Sequence, residues 1–136
     1  MKKTHLLFIF LLNISFSQIN AQKIHWISFE KAIELNKTNE KKILVDVYTD
    51  WCGYCKKMDR ETYENEKIIE YINKNFHAVK LNAEQKENIK FQGKTFKFIN
   101  QGRRGYHEFA AYILNGKMSY PSTVFFGSNE EYLDKI

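Results

Sequence analysis

Apolar residues fall into two alternating patterns along this chain, short unbroken runs and stripes spaced three or four apart. Ile43-Leu44-Val45-Asp46-Val47-Tyr48 is a nearly continuous run with Asp46 as its exception, the pattern of a parallel strand covered by helices on both faces. Ahead of it, Lys23 to Ile27 predicts a short first strand, and Phe29, Ala32 and Ile33 share one face of a helix starting near Ser28. Behind it, a helix is expected from Cys52 to about Tyr63. Asn65 is placed to cap another helix, whose Ile68, Ile69 and Ile72 form one apolar stripe. His77 to Asn82 is the next strand. Strand, helix and strand of these lengths imply a right-handed parallel crossover, so the fold class is α/β.

The pattern changes after Glu84. Ile89-Lys90-Phe91 and Phe96-Lys97-Phe98 alternate apolar and charged residues around Gln92-Gly93, which predicts an inserted β-hairpin. Gly102-Arg103-Arg104-Gly105 reads as a loop, and Tyr106 to Leu114 as a helix whose Phe109, Ala110 and Ile113 pack inward before Asn115-Gly116 closes it. Pro121 leads into a strand over Ser122 to Phe126, and Asn129-Glu130 turns the chain into a last strand from Tyr132 to Ile136.

The first residues have another character. Lys2 and Lys3 precede an apolar core from Leu6 to Leu12, and Ile19-Asn20-Ala21 offers a cleavage site, so residues 1–21 read as a secretory signal cleaved after Ala21. That core is too short to span a bilayer, so no stable membrane span is expected after cleavage; retention as an anchor is the alternative. Residues 22–136 then form one domain of 115 residues, enough for a single hydrophobic core. With 19 basic and 16 acidic residues, this segment carries only a small positive excess. Lys41-Lys42, Lys56-Lys57 and the two arginines at 103 and 104 are separate short clusters, typical of solvated faces, and no nucleic-acid partner is expected.

Candidate chemistry concentrates in Trp51-Cys52-Gly53-Tyr54-Cys55, which holds the chain's two cysteines. A thiolate at a helix N-terminus sits against unpaired backbone N–H groups and the positive end of the dipole. Both lower its pKa below the free value of about 8.5, and Lys56-Lys57 adds to the effect. Cys52 is therefore the candidate nucleophile and Cys55, one turn on, the resolving thiol. A zinc site would need four ligands, and there is no second cysteine pair; His25, His77 and His107 have no ligand-like spacing. No metal and no cofactor is expected beyond the dithiol. Export to an oxidising compartment such as a bacterial periplasm also implies an upstream redox partner that resets the pair.

Leu44 to Lys56 closely resembles the active-site segment of thioredoxin. Val79-Lys80-Leu81-Asn82-Ala83-Glu84-Gln85 resembles the strand after that family's second helix, and Tyr120-Pro121-Ser122-Thr123-Val124-Phe125-Phe126 its cis-proline strand. The resemblance implies a thioredoxin-like fold: a central mixed sheet with helices on both faces, the hairpin being inserted before the helix and strand of the cis-proline region. The family's final helix has no counterpart before Ile136, which leads to the expectation that apolar rows around Val45 and Val124 are open on one side. It further implies that Asp46 lies beneath the dithiol and assists proton transfer to and from Cys55, with Lys80 nearby. The alternative for Asp46 is a satisfied buried ion pair with no kinetic role; both readings predict Asp46 close to Lys80. The resemblance makes the Tyr120–Pro121 bond cis and places Trp51, Gly53, Tyr54, Tyr120 and Pro121 on the substrate-docking surface.

Two departures matter. Tyr54 replaces the proline of thioredoxin, and Gly-Tyr between the cysteines resembles bacterial periplasmic disulfide isomerase; Tyr48 stands where thioredoxin has a second tryptophan. The expected function is a protein thiol:disulfide oxidoreductase working in the reductase or isomerase direction. The rival is a non-enzymatic module that docks a partner or holds a soft metal such as Cu(I) through Cys52 and Cys55, with Met58 nearby.

Overall fold

The computed structural model describes residues 22–136, so the secretory segment read over residues 1–21 lies outside the described residues. The apolar run becomes β2 (Lys42–Tyr48), the middle of a five-stranded sheet. It pairs in parallel with β3 (Phe76–Asn82) and antiparallel with β8 (Ser122–Phe126). At the two edges, β1 (Trp26–Ile27) lies parallel to β3, and β9 (Tyr132–Lys135) antiparallel to β8, giving the order β1-β3-β2-β8-β9.

Side chains alternate across a strand, so β2 feeds two cores. Ile43, Val45 and Val47 are fully buried with Val124 and Phe126 against α1 (Phe29–Asn36) and α4 (Glu108–Ile113). Leu44 packs on the other face with Ala78, Ile69 and Ile72, under α3 (Glu66–Asn75). Asp46 and Tyr48 share that second face. The expectation that the Val45 and Val124 rows are open is therefore corrected: both are 0% exposed, because they point to the face that α1 and α4 cover. The half-buried apolar residues of the opposite face include Phe76 and Phe125, beside Trp26, Tyr63 and Ile68.

Local signals place these helices. Ser28 Oγ accepts the Lys31 N–H at 3.2 Å and starts α1, and Asn65 Oδ1 accepts from Lys67 and Ile68 to start α3. Phe29 then sits in a ring cluster with Phe91, Phe109 and Phe126, at centroid separations of 5.2, 4.5 and 5.6 Å. Burying such a ring is worth about 1.5–3 kcal/mol.

The region after β3 holds two hairpins rather than one. The first pairs β4 (Ile89–Phe91) with β5 (Lys94–Phe96). Gln92 and Gly93 have φ of 47° and 75°, a two-residue turn matched to strand twist, so the returning strand begins at Lys94 and not at Phe96. That register sets Phe96 opposite Ile89, both buried. The second pairs β6 (Phe98–Gln101) with β7 (Arg104–His107), in place of the loop at 102–105 and the helix from Tyr106 that the sequence pattern predicts. Gly102, at φ 70°, makes the turn. Gly105 lets the strands meet: a Cβ there would collide with the Phe98 ring and the Ile99 carbonyl oxygen. The helix starts two residues later than expected because His107 caps it, Nδ1 accepting the Phe109 N–H at 3.1 Å. Among the described residues, no helix is long and apolar enough to cross a membrane.

Candidate active site

The site is built where β2 hands the chain to α2 (Gly53–Glu61). Cys52 is the N-cap residue, in extended conformation, with its N–H bonded to the Thr49 carbonyl. Its Sγ accepts the Cys55 N–H at 3.1 Å, so the sulfur occupies the anion-favouring position at the helix start. Cys52 and Cys55 are joined in a disulfide. In this oxidised state their exposures are 5% and 2%, so the pair shows little surface of its own and is framed by its neighbours. Trp51 and Tyr54 are 54% and 77% exposed, and Gly53 is exposed between them.

Trp51 is held on three sides. Its Nε1–H donates to Glu84 Oε1 at 2.9 Å, the Tyr120 ring meets it edge-on at 5.9 Å, and the Arg104 guanidinium lies over it at 5.1 Å. Tyr120 comes from the loop before β8, and the Tyr120–Pro121 bond is cis. The third strand end, the β6–β7 hairpin and the cis-proline loop thus converge on the residue that precedes Cys52. Burial, with the Glu84 charge in second place, pushes the Tyr120 phenol above its ordinary range.

Below the helix lies an ion cluster. Asp46 is 1% exposed, and its Oδ2 receives a bond from Lys80 Nζ at 2.5 Å, in keeping with the direct β2–β3 register of the two residues. Lys80 Nζ also donates to Asp59 Oδ1 from α2. It sits over the rings of Trp26, Tyr48 and Tyr63 at 5.0 to 5.3 Å. Asp46 Oδ1 has no hydrogen-bond partner among the described residues. Burial raises the Asp46 pKa and outweighs the opposing pull of Lys80. For Lys80, burial alone lowers the pKa, but Asp46 and Asp59 together outweigh it and the net shift is upward. Tyr63 is likewise pushed up, first by burial and then by the Asp46 charge.

Sequence reasoning put Asp46, Lys80, Cys52, Cys55, Trp51, Tyr120 and Pro121 in one region, and the structure brings them around one strand-to-helix junction. It missed three neighbours. Asp59 carried a readable signal, since it stands four after Cys55 and therefore one turn further along the same helix face. Glu84 and Arg104 carried none: Glu84 reaches Trp51 from the turn after β3, and Arg104 from the second hairpin. Met58 is half-buried on α2, and the described residues contain no cluster of three or more His, Cys, Asp or Glu side chains placed to hold a metal ion.

Residues 14–133 match the family model named for thioredoxin-like DsbH and described as a protein of unknown function, DUF255. Over 97 residues the chain is 33% identical to the thiol:disulfide interchange protein DsbD of Campylobacter jejuni, an alignment covering 67% of this chain and 16% of that protein. The chain spans between 11% and 17% of the length of the curated relatives it matches. Among solved structures it resembles a DsbH oxidoreductase, with a TM-score of 0.60 at 20% identity over 88% of this chain and 76% of that one. It also resembles a disulphide-isomerase homologue from Bacteroides thetaiotaomicron, with a TM-score of 0.58 at 23% identity over 85% and 80%. These structural likenesses establish a thioredoxin fold.

Proposed function

Since the chain belongs to the thioredoxin-like DsbH family, DUF255, we propose that it is a thiol:disulfide oxidoreductase that exchanges protein disulfides through Cys52 and Cys55. The observation that carries the reading is the Cys52–Cys55 bridge at the N-terminus of α2, with Cys52 Sγ on the Cys55 N–H. In the reduced protein the Cys52 thiolate attacks one sulfur of a substrate disulfide; that bond breaks and the departing thiolate takes up a proton. Cys55, giving up its proton, then attacks Cys52 Sγ in the mixed disulfide and releases the second substrate thiol. Two electrons have passed to the substrate, and the Cys52–Cys55 bridge of this structure is the product. A partner dithiol, oxidised in its turn, restores the reduced pair.

Asp46 is the proposed proton acceptor for Cys55. Its raised pKa and its unpartnered Oδ1 suit it to hold a proton at pH values where an exposed carboxylate would not. Lys80, tied to Asp46 and Asp59, fixes the carboxylate in place. Trp51, Tyr54, Tyr120 and Pro121 form the face on which an extended substrate segment lies, with Gly53 leaving the approach to the sulfurs open; a Cβ at Gly53 would meet nothing within 4 Å. The working direction is reductase or isomerase, supported by the Gly-Tyr pair between the cysteines. We further read residues 1–21 as an export signal, so that the domain of residues 22–136 works in a bacterial periplasm or another extracytoplasmic compartment.

Insulin reduction by dithiothreitol, with and without the protein, tests this reading. Acceleration that disappears in Cys52→Ser is expected. No acceleration, together with stoichiometric copper on the purified reduced protein, would favour a metal-holding module instead.

A further inference from the structure

The second hairpin does more than brace Trp51. Lys86, Arg103 and Arg104 line, with Trp51, Glu84 and Asn100, a groove of about 510 Å³ that opens beside the residue preceding Cys52. All three cations are exposed, and none forms a salt bridge among the described residues. Two of them lie on rings: Arg104 over Trp51 at 5.1 Å, and Lys86 Nζ over Phe98 at 5.4 Å. Such contacts orient a cation without neutralising it. Among the described residues the one carboxylate lining the groove is that of Glu84, and one of its oxygens is taken by the Trp51 N–H. Three cations against one engaged carboxylate leave a groove of positive potential. Gly105, where an added Cβ would strike Phe98 and Ile99, lets the strands bearing Asn100 and Arg104 approach closely.

We propose that this groove docks an acidic segment of the protein substrate, the residues flanking the disulfide to be exchanged, and so sets which disulfides reach Cys52. The proposal rests on the oxidoreductase reading and adds a substrate class to it. A substrate strand lying along Trp51 toward the cis-proline loop would extend at its other end over Arg104 and Arg103. Carboxylates there would meet guanidinium groups able to bind them in bidentate fashion. Complementary charge of this kind acts mainly on encounter and weakens with salt, because the screening length shortens from about 10 Å at 0.1 M to about 3 Å at 1 M.

Two cystine-bridged peptides serve as probes, identical except that Asp and Glu flank the bridge in one and Asn and Gln in the other. Their binding to the oxidised full chain is measured by fluorescence anisotropy, and their reduction by the reduced chain as a second-order rate constant in a single turnover. Expected is a preference of about tenfold or more for the acidic peptide at low salt, shrinking as salt is added. The preference should fall to about one in K86E/R103E and fall partway in the milder K86Q/R103Q, which guards against misfolding of the double reversal. Equal binding of the two peptides by the wild-type protein, or a preference that survives both variants, overturns the proposal. Reduction of the small neutral hydroxyethyl disulfide reports on the dithiol alone. Its failure counts against the oxidoreductase reading, while the binding measurement still decides the groove.

Discussion

Replacing Asp46 by Ala separates stability from proton transfer. In the folded chain the carboxylate is 1% exposed, with Oδ2 on Lys80 and Oδ1 unpartnered. An unsatisfied buried acceptor costs about 1–3 kcal/mol, and Ala removes that cost. Against this stands the broken ion pair, worth about 3–5 kcal/mol where the surviving charge is stranded. Lys80 is not stranded: it keeps Asp59, and its side chain is 20% exposed. The loss should therefore be nearer ~1–2 kcal/mol, and the two effects cancel to within about 1 kcal/mol near neutral pH.

The balance moves with pH in a fixed direction. Burial raises the Asp46 pKa in the folded state, so the folded protein holds this proton at pH values where the unfolded chain has released it. The stabilisation from that proton is fully present below the unfolded carboxyl value of about 3.9 and is lost as pH rises through the folded value. Ala lacks the group, so the stability difference should shift in favour of Asp46→Ala as pH is taken from 3.5 to 7.5 in urea titrations. Disulfide reduction near neutral pH should slow by about ten- to a hundredfold, since a lost proton acceptor costs up to 10²–10⁴. Rates unchanged from pH 5 to 9 would leave Asp46 as a packing element only. A loss above about 3 kcal/mol at pH 7.5 would show that the ion pair outweighs the orphaned oxygen.

Other perturbations test neighbouring parts of the account. In the reduced protein Cys52 should react with iodoacetamide before Cys55 and at lower pH than a free thiol; the reverse order exchanges their roles. The pair should titrate at a reduction potential between about −250 and −150 mV, and a value near about −120 mV would mark an oxidant. Gly105→Ala should cost about 1–3 kcal/mol in urea unfolding, because the Phe98 ring and the Ile99 backbone must both move. His107, fully buried, accepts from the Phe109 N–H and donates to the Glu87 carbonyl, and burial lowers its pKa. Its stabilising contribution is present above the unfolded value of about 6.5 and is lost as pH falls toward the folded value. His107→Asn should therefore flatten the loss of stability between pH 7.5 and 5.

Much of this architecture is legible because each signal is local. The run from Ile43 to Tyr48 declares a strand buried on both faces, Ser28 and Asn65 announce helix starts, and Asn115-Gly116 closes α4 with both residues at positive φ. The errors fall where geometry is set across strands. A two-residue turn at Gln92-Gly93 dictates that pairing resumes at Lys94, whatever the alternation suggests further on. The stretch Phe98 to His107 has strands of only four residues with weak alternation, and its pairing needs the missing side chain of Gly105 as much as any propensity. At the site, the cysteines could be named from their spacing, Asp46 as the one charge inside an apolar run, and Lys80 from the resemblance to thioredoxin. Glu84 and Arg104 reach Trp51 only through tertiary approach, which spacing does not encode.

Trapping with a resolving-cysteine variant tests the central claim most directly. Reduced Cys55→Ser, mixed with a disulfide-bonded protein such as insulin and quenched with acid, should accumulate a mixed disulfide that mass spectrometry assigns to Cys52. Wild type should show only a trace of it, because Cys55 resolves the intermediate and ends in the bridge seen here. A variant that traps nothing, while the wild-type protein reduces insulin no faster than free dithiothreitol, would contradict the account.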